Sequence, residues 1–255
     1  MKQITHPIEV SEKSGIRYLH FGSSWVQGAM RVRQPNQLEL AYTREMMACL
    51  LLRQDHQWPR KALLVGLGAA SLTKFFYHHL AHCDTTVVEI NPTVVAVARQ
   101  SFHLPPSTPG RLQIEIADGA DLIRDSQEIF DLILVDGFDP DARAGTLDTS
   151  SFYANCHARL SLQGLLGVNL LGRNKGFAAS AQRLEEAFPE RTLVFPSCDS
   201  GNTVAFAACG EEIALSAEEL RARAEEIQEQ TGLNLLPTLA RVIEAGSLRQ
   251  GMLQL

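Results

Sequence analysis

A doubly wound α/β fold with a mostly parallel sheet is what the sequence predicts, on three observations. From Ala62 onward short apolar runs alternate with helical patterns, an order that right-handed crossovers turn into a parallel sheet covered on both faces. The first apolar run stops at Gly66-Leu-Gly68-Ala-Ala-Ser, a turn whose glycines let the backbone pass close to a ligand. The next run carries Glu89 near its end, roughly 20 residues on, where a carboxylate accepts hydrogen bonds from both hydroxyls of a ribose. Together these features describe a cradle for a nucleoside-containing ligand. The turn lacks the third glycine of a dinucleotide fingerprint, so the remaining motifs have to decide which nucleoside it holds.

Three segments follow from this reading. Residues 1–57 form an N-terminal β-segment and helix: 17–21 and 25–30 read as small antiparallel strands around Gly22-Ser-Ser, and 38–53 as an amphipathic or buried helix. Trp58-Pro-Arg-Lys then leads into the nucleoside-binding α/β domain, residues 58–210. Its strands are expected at 63–65, 86–90, 112–116, 132–135 and 165–169, and its helices at 72–80, 94–101, 120–124, 152–160 and 178–188. Two last strands, 192–195 and 203–208, have no helix between them and should pair as an antiparallel hairpin at one sheet edge. Such a reversed last strand points to the S-adenosyl-methionine-dependent methyltransferase type of sheet rather than the all-parallel sheet of nicotinamide-dinucleotide enzymes. Residues 211–255 open on a capping box at Ser216 and read as two amphipathic helices, with Gly232 and Pro237 near the turn between them.

With 255 residues, 45% hydrophobic and 20% charged, the chain can bury one sizeable core plus a small appendage, which excludes disordered and fibrous classes. A net charge of −6 with scattered Arg and Lys offers no stripe for a phosphate backbone, so a small molecule is expected as partner and nucleic acid is not. No apolar run suits a signal peptide or reaches the ~18 residues of a membrane span, so the expectation is a cytoplasmic protein without membrane contact. Cys49, Cys83, Cys156, Cys198 and Cys209 form no C-x-x-C pair and are odd in number, which favours reduced, mostly buried thiols over disulfides or a zinc site. His78 and His82 have the spacing of a metal pair, but no third ligand accompanies them; the expectation is a solvated helix face and no metal.

Ligands of open α/β sheets bind at the carboxyl ends of the strands, and further acids fall there. Asp118-Gly119 follows the third strand, where an aspartate takes a hydrogen bond from an adenine amino group, caps the helix that begins at Ala120, or does both. After the fourth strand comes Asp136-Gly-Phe-Asp139-Pro-Asp. Paired acids in that place bind an ammonium group and take the proton an amine must lose before its lone pair attacks carbon, which is amine alkylation chemistry. Loop capping and turn chemistry are the competing readings of Asp136 and Asp139. An acid ending a run as apolar as Leu132-Ile-Leu-Val, however, sits where desolvation and ligand contact both matter.

In this order the motifs resemble the spermidine synthase family of aminopropyltransferases: a glycine-rich turn, an acid ending the next strand, Asp-Gly after the third, and Asp-x-x-Asp-Pro after the fourth. The N-terminal β-segment, Glu45-Met46 and Phe152-Tyr153 extend the resemblance over roughly residues 17–209 and leave the final helices outside it. It implies that Gly66, Gly68, Glu89, Asp118 and Gly119, with Gln27 as a further contact, hold decarboxylated S-adenosyl-methionine as co-substrate, or methylthioadenosine. Asp136 would deprotonate the attacking amine and Asp139 would anchor it. The implied protein is a transferase of polyamine biosynthesis that takes a small amine acceptor. A homodimer is expected on separate grounds, since the N-terminal β-segment and the C-terminal helices are both apolar enough to want a partner.

Three positions depart from the family pattern. Its first turn reads Gly-Gly-Gly-Asp-Gly-Gly, with the aspartate orienting the amino end of the aminopropyl group, and Ala69 stands there instead. The family's Tyr-Gln/His-Glu-Met, which faces the diamine, appears as Thr43-Arg44-Glu45-Met46, so that Arg44 would repel a second cation or meet an anionic substrate. A tyrosine of the late hairpin is replaced within Phe195-Pro-Ser-Cys198. Aminopropyl transfer is therefore set against two alternatives. One is S-adenosyl-methionine-dependent methyl transfer, whose donor carboxylate the missing aspartate no longer repels; the other is a nucleoside-binding relative without catalysis.

Overall fold

Strand alternation sorts the apolar residues onto two faces of one seven-stranded sheet in the computed structural model, which describes residues 7–23, 25–138, 144–171, 176–198 and 201–255. An N-terminal three-stranded antiparallel sheet comes first, β1 (Ile8–Lys13), β2 (Ile16–Phe21) and β3 (Gly28–Arg31), followed by α1 (Ala41–Met46) and a 3-10 turn, Met47–Leu51. The α/β part runs β4 (Lys61–Val65), α2 (Ser71–His79), β5 (Asp84–Glu89), α3 (Pro92–Ser101), β6 (Leu112–Ile116), α4 (Gly119–Asp125) and β7 (Phe130–Val135). A second 3-10 turn, Gly145–Asp148, precedes α5 (Ser150–Ala158), β8 (Leu160–Leu171), α6 (Phe177–Ala187), β9 (Thr192–Val194) and β10 (Asn202–Ala208). The chain closes with β11 (Ala214–Ser216), α7 (Ala217–Thr231), α8 (Leu236–Glu244) and β12 (Met252–Gln254).

Along β4, Ala62 and Leu64 face the larger core with α1, α2, α3, α7 and α8, whereas Leu63 and Val65 face a second core with α4, α5 and α6. The same parity divides Leu132 and Leu134 from Ile133 and Val135 on β7, which is why these runs are apolar at every position. Strand order is β6-β5-β4-β7-β8-β10-β9, parallel except for β10, which pairs antiparallel with both β8 and β9. The order reverses between β4 and β7, so the crevice that such sheets use for ligands opens above Val65 and Val135.

The fold agrees with the predicted class, and the differences lie at its ends. The N-terminal sheet has three strands rather than two; β1, with five exposed positions in six, is too polar to register as a half-buried strand, and Trp25 lies outside β3 with 59% exposure. The helix expected over 38–53 is a six-residue α-helix continued by a 3-10 turn. At the other end, Ser216 and Glu219 form the expected capping box and Gly232 ends α7 with φ of 74°, but β11 and β12 add an antiparallel ribbon that three-residue strands could not announce. The predicted hairpin forms with β9 at the edge, and β10 sits inside the sheet.

His78 on α2 and His82 just past its end are both exposed, as expected of a solvated face, whereas Leu72 to Phe76 earlier in the helix are all buried. Among them Lys74 is 1% exposed and forms no ion pair among the described residues. Burial lowers its ammonium from the ordinary 10.5 to about 8. The folded value lies below the unfolded one, so the destabilising contribution is fully present below about pH 8 and fades as pH rises towards 10.5. Lys74→Met is thus expected to stabilise the protein at pH 7 by on the order of 3 kcal/mol. Urea unfolding at pH 7 and pH 10.5 checks this: an equal gain at both values would show that packing, not charge, is responsible.

Candidate active site

The first glycine turn is shaped by a close approach between two strands. Gly66 leaves β4 with φ of 97°, and a Cβ there would lie 2.3 Å from the carbonyl oxygen of Asp136. Its amide donates to the carbonyl of Val88 at 2.9 Å while the amide of Asp136 donates to that of Val65, also at 2.9 Å, so the ends of β5, β4 and β7 are stitched together around it. Gly68 has φ of 49° and would place a Cβ 3.2 Å from the carbonyl oxygen of Gln27, which brings the N-terminal segment against the turn.

Glu89, 8% exposed at the end of β5, accepts from the amide of Leu67 at 3.0 Å through Oε2 and from that of Asn91 at 2.9 Å through Oε1. Burial holds its carboxyl above the ordinary range, and the amides of Asn91, Leu67, Gly68 and Ile90 pull it part of the way back. Asp118 is the N-cap of α4: Oδ1 accepts from Ala120 at 2.8 Å and from Asp121 at 3.3 Å. That is the capping role expected of an Asp-Gly, and it turns the carboxylate towards the ligand crevice at the same time, because Asp118 and Gly119 line it.

Asp136 follows β7 and is held on both sides. Tyr42 Oη donates to Oδ2 at 3.2 Å from α1, and Asn169 Nδ2 donates to Oδ1 at 2.8 Å from β8. Register explains the second partner: Val135 lies opposite Val168, so the residues that follow them are neighbours. The carboxyl is partly open to the cavity, yet the surrounding protein withdraws it from bulk water and raises its pKa, against the two donors, which lower it. Asn169 is 4% exposed, and its Oδ1 has no hydrogen-bond partner among the described residues.

These residues converge on one cavity of about 530 Å³, lined among others by Gln27, Gly66, Gly68, Glu89, Asp118 and Gly119, with Asp136 on the same wall. Apolar surface comes from Val88, Ile90, Phe138 and Leu147. Glu89, Asp118 and Asp136 supply three carboxylates, and no Lys, Arg or His is present among the described lining residues. A ligand with a flat apolar ring, a hydroxylated sugar and a cationic tail matches this donor and acceptor set; one with an exposed carboxylate meets like charge and no counter-ion.

The family model of the spermine/spermidine synthase domain matches residues 39–169. A polyamine aminopropyltransferase of Chromobacterium violaceum is 35% identical over 226 residues, spanning 89% of this chain and 85% of that protein. The chain belongs to the spermine/spermidine synthase family. Solved structures agree in fold: a probable spermidine synthase from Corynebacterium glutamicum has a TM-score of 0.69 at 21% identity, over 89% of this chain and 85% of that one. Human methyltransferase-like protein 13 in complex with SAH has a TM-score of 0.66 at 24% identity, over 76% of this chain and 93% of that one.

For this member of the spermine/spermidine synthase family, the departures from the motif now have places. Arg44 is not among the described lining residues of the cavity; its guanidinium donates to the carbonyls of Leu38 at 2.9 Å and Glu39 at 2.7 Å, just before its own helix. Ala69 is 3% exposed in a small cluster with Leu19, Met30 and Phe102, turned towards the N-terminal sheet rather than the cavity. Asp139 lies outside the described residues, as does most of the loop after Phe138. His78 and His82 gather no group of three or more His, Cys, Asp or Glu able to hold a metal among the described residues. Sequence reasoning missed Tyr42 and Asn169. Asn169 left a signal as a polar residue within the apolar run 165–171, whereas Tyr42, next to the motif position taken by Thr43, left none.

Proposed function

We propose that the protein transfers an aminopropyl group from decarboxylated S-adenosyl-methionine to a small amine. The observation that carries this reading is the cavity with three carboxylates and no basic side chain among its described lining residues, which suits a donor whose tail ends in an ammonium rather than a carboxylate. The same observation weighs against the methyl-donor alternative, whose donor carboxylate meets no basic side chain among the described lining residues.

The donor supplies a methylene carbon activated by an adjacent sulfonium. Glu89 accepts from the ribose hydroxyls while Leu67 and Asn91 fix its orientation, and Asp118 accepts from the adenine amino group. Asp136, ionised, takes a proton from the acceptor ammonium; the freed lone pair forms the N–C bond as the C–S bond breaks with its electrons left on sulfur. Asp139 is assigned the anchoring of that amine on the family pattern alone.

Titrating the protein with S-adenosyl-methionine, its decarboxylated form and methylthioadenosine in parallel tests the reading, with product analysis in the presence of a diamine. Preference for the decarboxylated donor is expected; preference for S-adenosyl-methionine would replace aminopropyl with methyl transfer. Glu89→Gln is expected to weaken donor and methylthioadenosine alike by about 10- to 100-fold, the worth of hydrogen bonds to a charged acceptor, with the turn still folded. An unchanged Kd would remove Glu89 from the ribose.

The reading includes a cytoplasmic homodimer. No helix among the described residues is long and apolar enough to cross a membrane. Val10, Trp25 and Val26 leave apolar surface exposed on the N-terminal segment, which supports self-association there.

A further inference from the structure

Helix α1 carries Tyr42 to Asp136, yet little in its own sequence holds it in place. It has six residues, its N-cap is Leu40, and no side chain caps its first turn. A helix that short has no independent stability. Thr43 Oγ1 donates to the carbonyl of Leu40 at 2.7 Å and Arg44 secures the residues before it, so the N-terminal end is tied locally.

The rest is tied by the C-terminal helices. Glu45, one turn after Tyr42 and 1% exposed, meets the guanidinium of Arg241 on α8 at 2.5 Å. Arg223 on α7 donates to the carbonyl of Leu51 at 2.5 Å, at the end of the 3-10 turn that continues α1. Leu239 and Val242 on α8 pack in the same core as Tyr42, Met46 and Met47. Both helices lie beyond residue 169, where the family match ends.

We infer that Arg241 is a positioning residue for the reaction: by holding the buried Glu45 it fixes the turn of α1 from which Tyr42 reaches Asp136. This rests on Asp136 being the base, as proposed above. Tyr42 on α1 faces Asp136 directly, with Cys198 beyond it after β9, Asn169 on β8, and Glu89 and Asp118 along the shared cavity. Loss of the Tyr42 bond removes a donor that stabilises the carboxylate, so the Asp136 carboxyl would titrate at higher pH and the acid limb of activity would move up with it.

The test compares wild type, R241M, R241K and the double variant E45Q/R241M, which removes the buried charge without restoring the tie. Steady-state kinetics are read beside a carboxyl NMR titration of Asp136 in the substrate-free protein, assigned with D136N. R241M is expected to lose about 10- to 100-fold in kcat with donor KM little changed, and to titrate Asp136 upward; R241K regains most of both. E45Q/R241M is expected to regain thermal stability but not kcat. Full recovery of kcat in the double variant, or an unmoved Asp136 titration in R241M, would reduce Arg241 to a structural role and overturn the inference. A wild type without aminopropyl transfer would instead overturn the proposed function, and the NMR comparison would still decide the link from Arg241 to Asp136.

Discussion

Replacing Asp136 by Asn is expected to lower kcat for aminopropyl transfer by on the order of 10³-fold, within the range that a positioned general base supplies, while donor affinity stays close to wild type. The amide keeps the shape and can still accept from Tyr42, so what is lost is the capacity to take a proton. The same variant should be more stable than wild type near neutral pH. Burial raises the Asp136 carboxyl in the folded state, so the protonated form is favoured there; its ionisation costs stability as pH rises from the unfolded value through the raised one. A neutral Asn escapes that cost. Loss of activity together with a higher Tm is therefore the signature expected of a site held at the expense of stability. In wild type, the acid limb of kcat/KM should lie above the ordinary carboxylate range for the same reason. Retention of kcat in D136N would show that the proton leaves by another route.

Gly66→Ala is expected to damage fold and donor binding together. A φ of 97° is strained for any residue with a side chain, and the added Cβ would fall 2.3 Å from the backbone oxygen of Asp136. Strain alone is worth about 1–3 kcal/mol, and the clash is with backbone, which no rotamer change can relieve. Either β4 and β7 part at the ligand crevice or the turn moves off Glu89. The expected outcome is a Tm lowered by several degrees and donor affinity weakened at least about tenfold, measured by thermal unfolding and titration on the same preparation. A variant with wild-type Tm and Kd would mean that this turn relaxes in a way the close approach of the two strands does not suggest.

Much of the site was legible in sequence because it consists of strand ends. Glycines after β4, an acid closing β5, Asp-Gly after β6 and an acid after β7 are each a local pattern, and a parallel sheet brings its carboxyl ends to one side whatever the loops do. Glu89 and Asp118 line the cavity with Gly66 and Gly68 for that reason. The partners of Arg44 were not legible, because position along a helix does not say which way a long side chain turns, and two carbonyls just before α1 lie within its reach.

The sequence by itself determined the order of strands and helices, the reversed β10 and the chemical character of the crevice, since period, turn chemistry and crossover handedness act over a few residues at a time. Only the tertiary structure decided what surrounds Asp136. Tyr42 is 94 positions away and Asn169 is 33, and the Glu45–Arg241 pair joins the first helix to one near the end of the chain. Such contacts are set by how helices seat on the sheet, a packing outcome that no local pattern encodes.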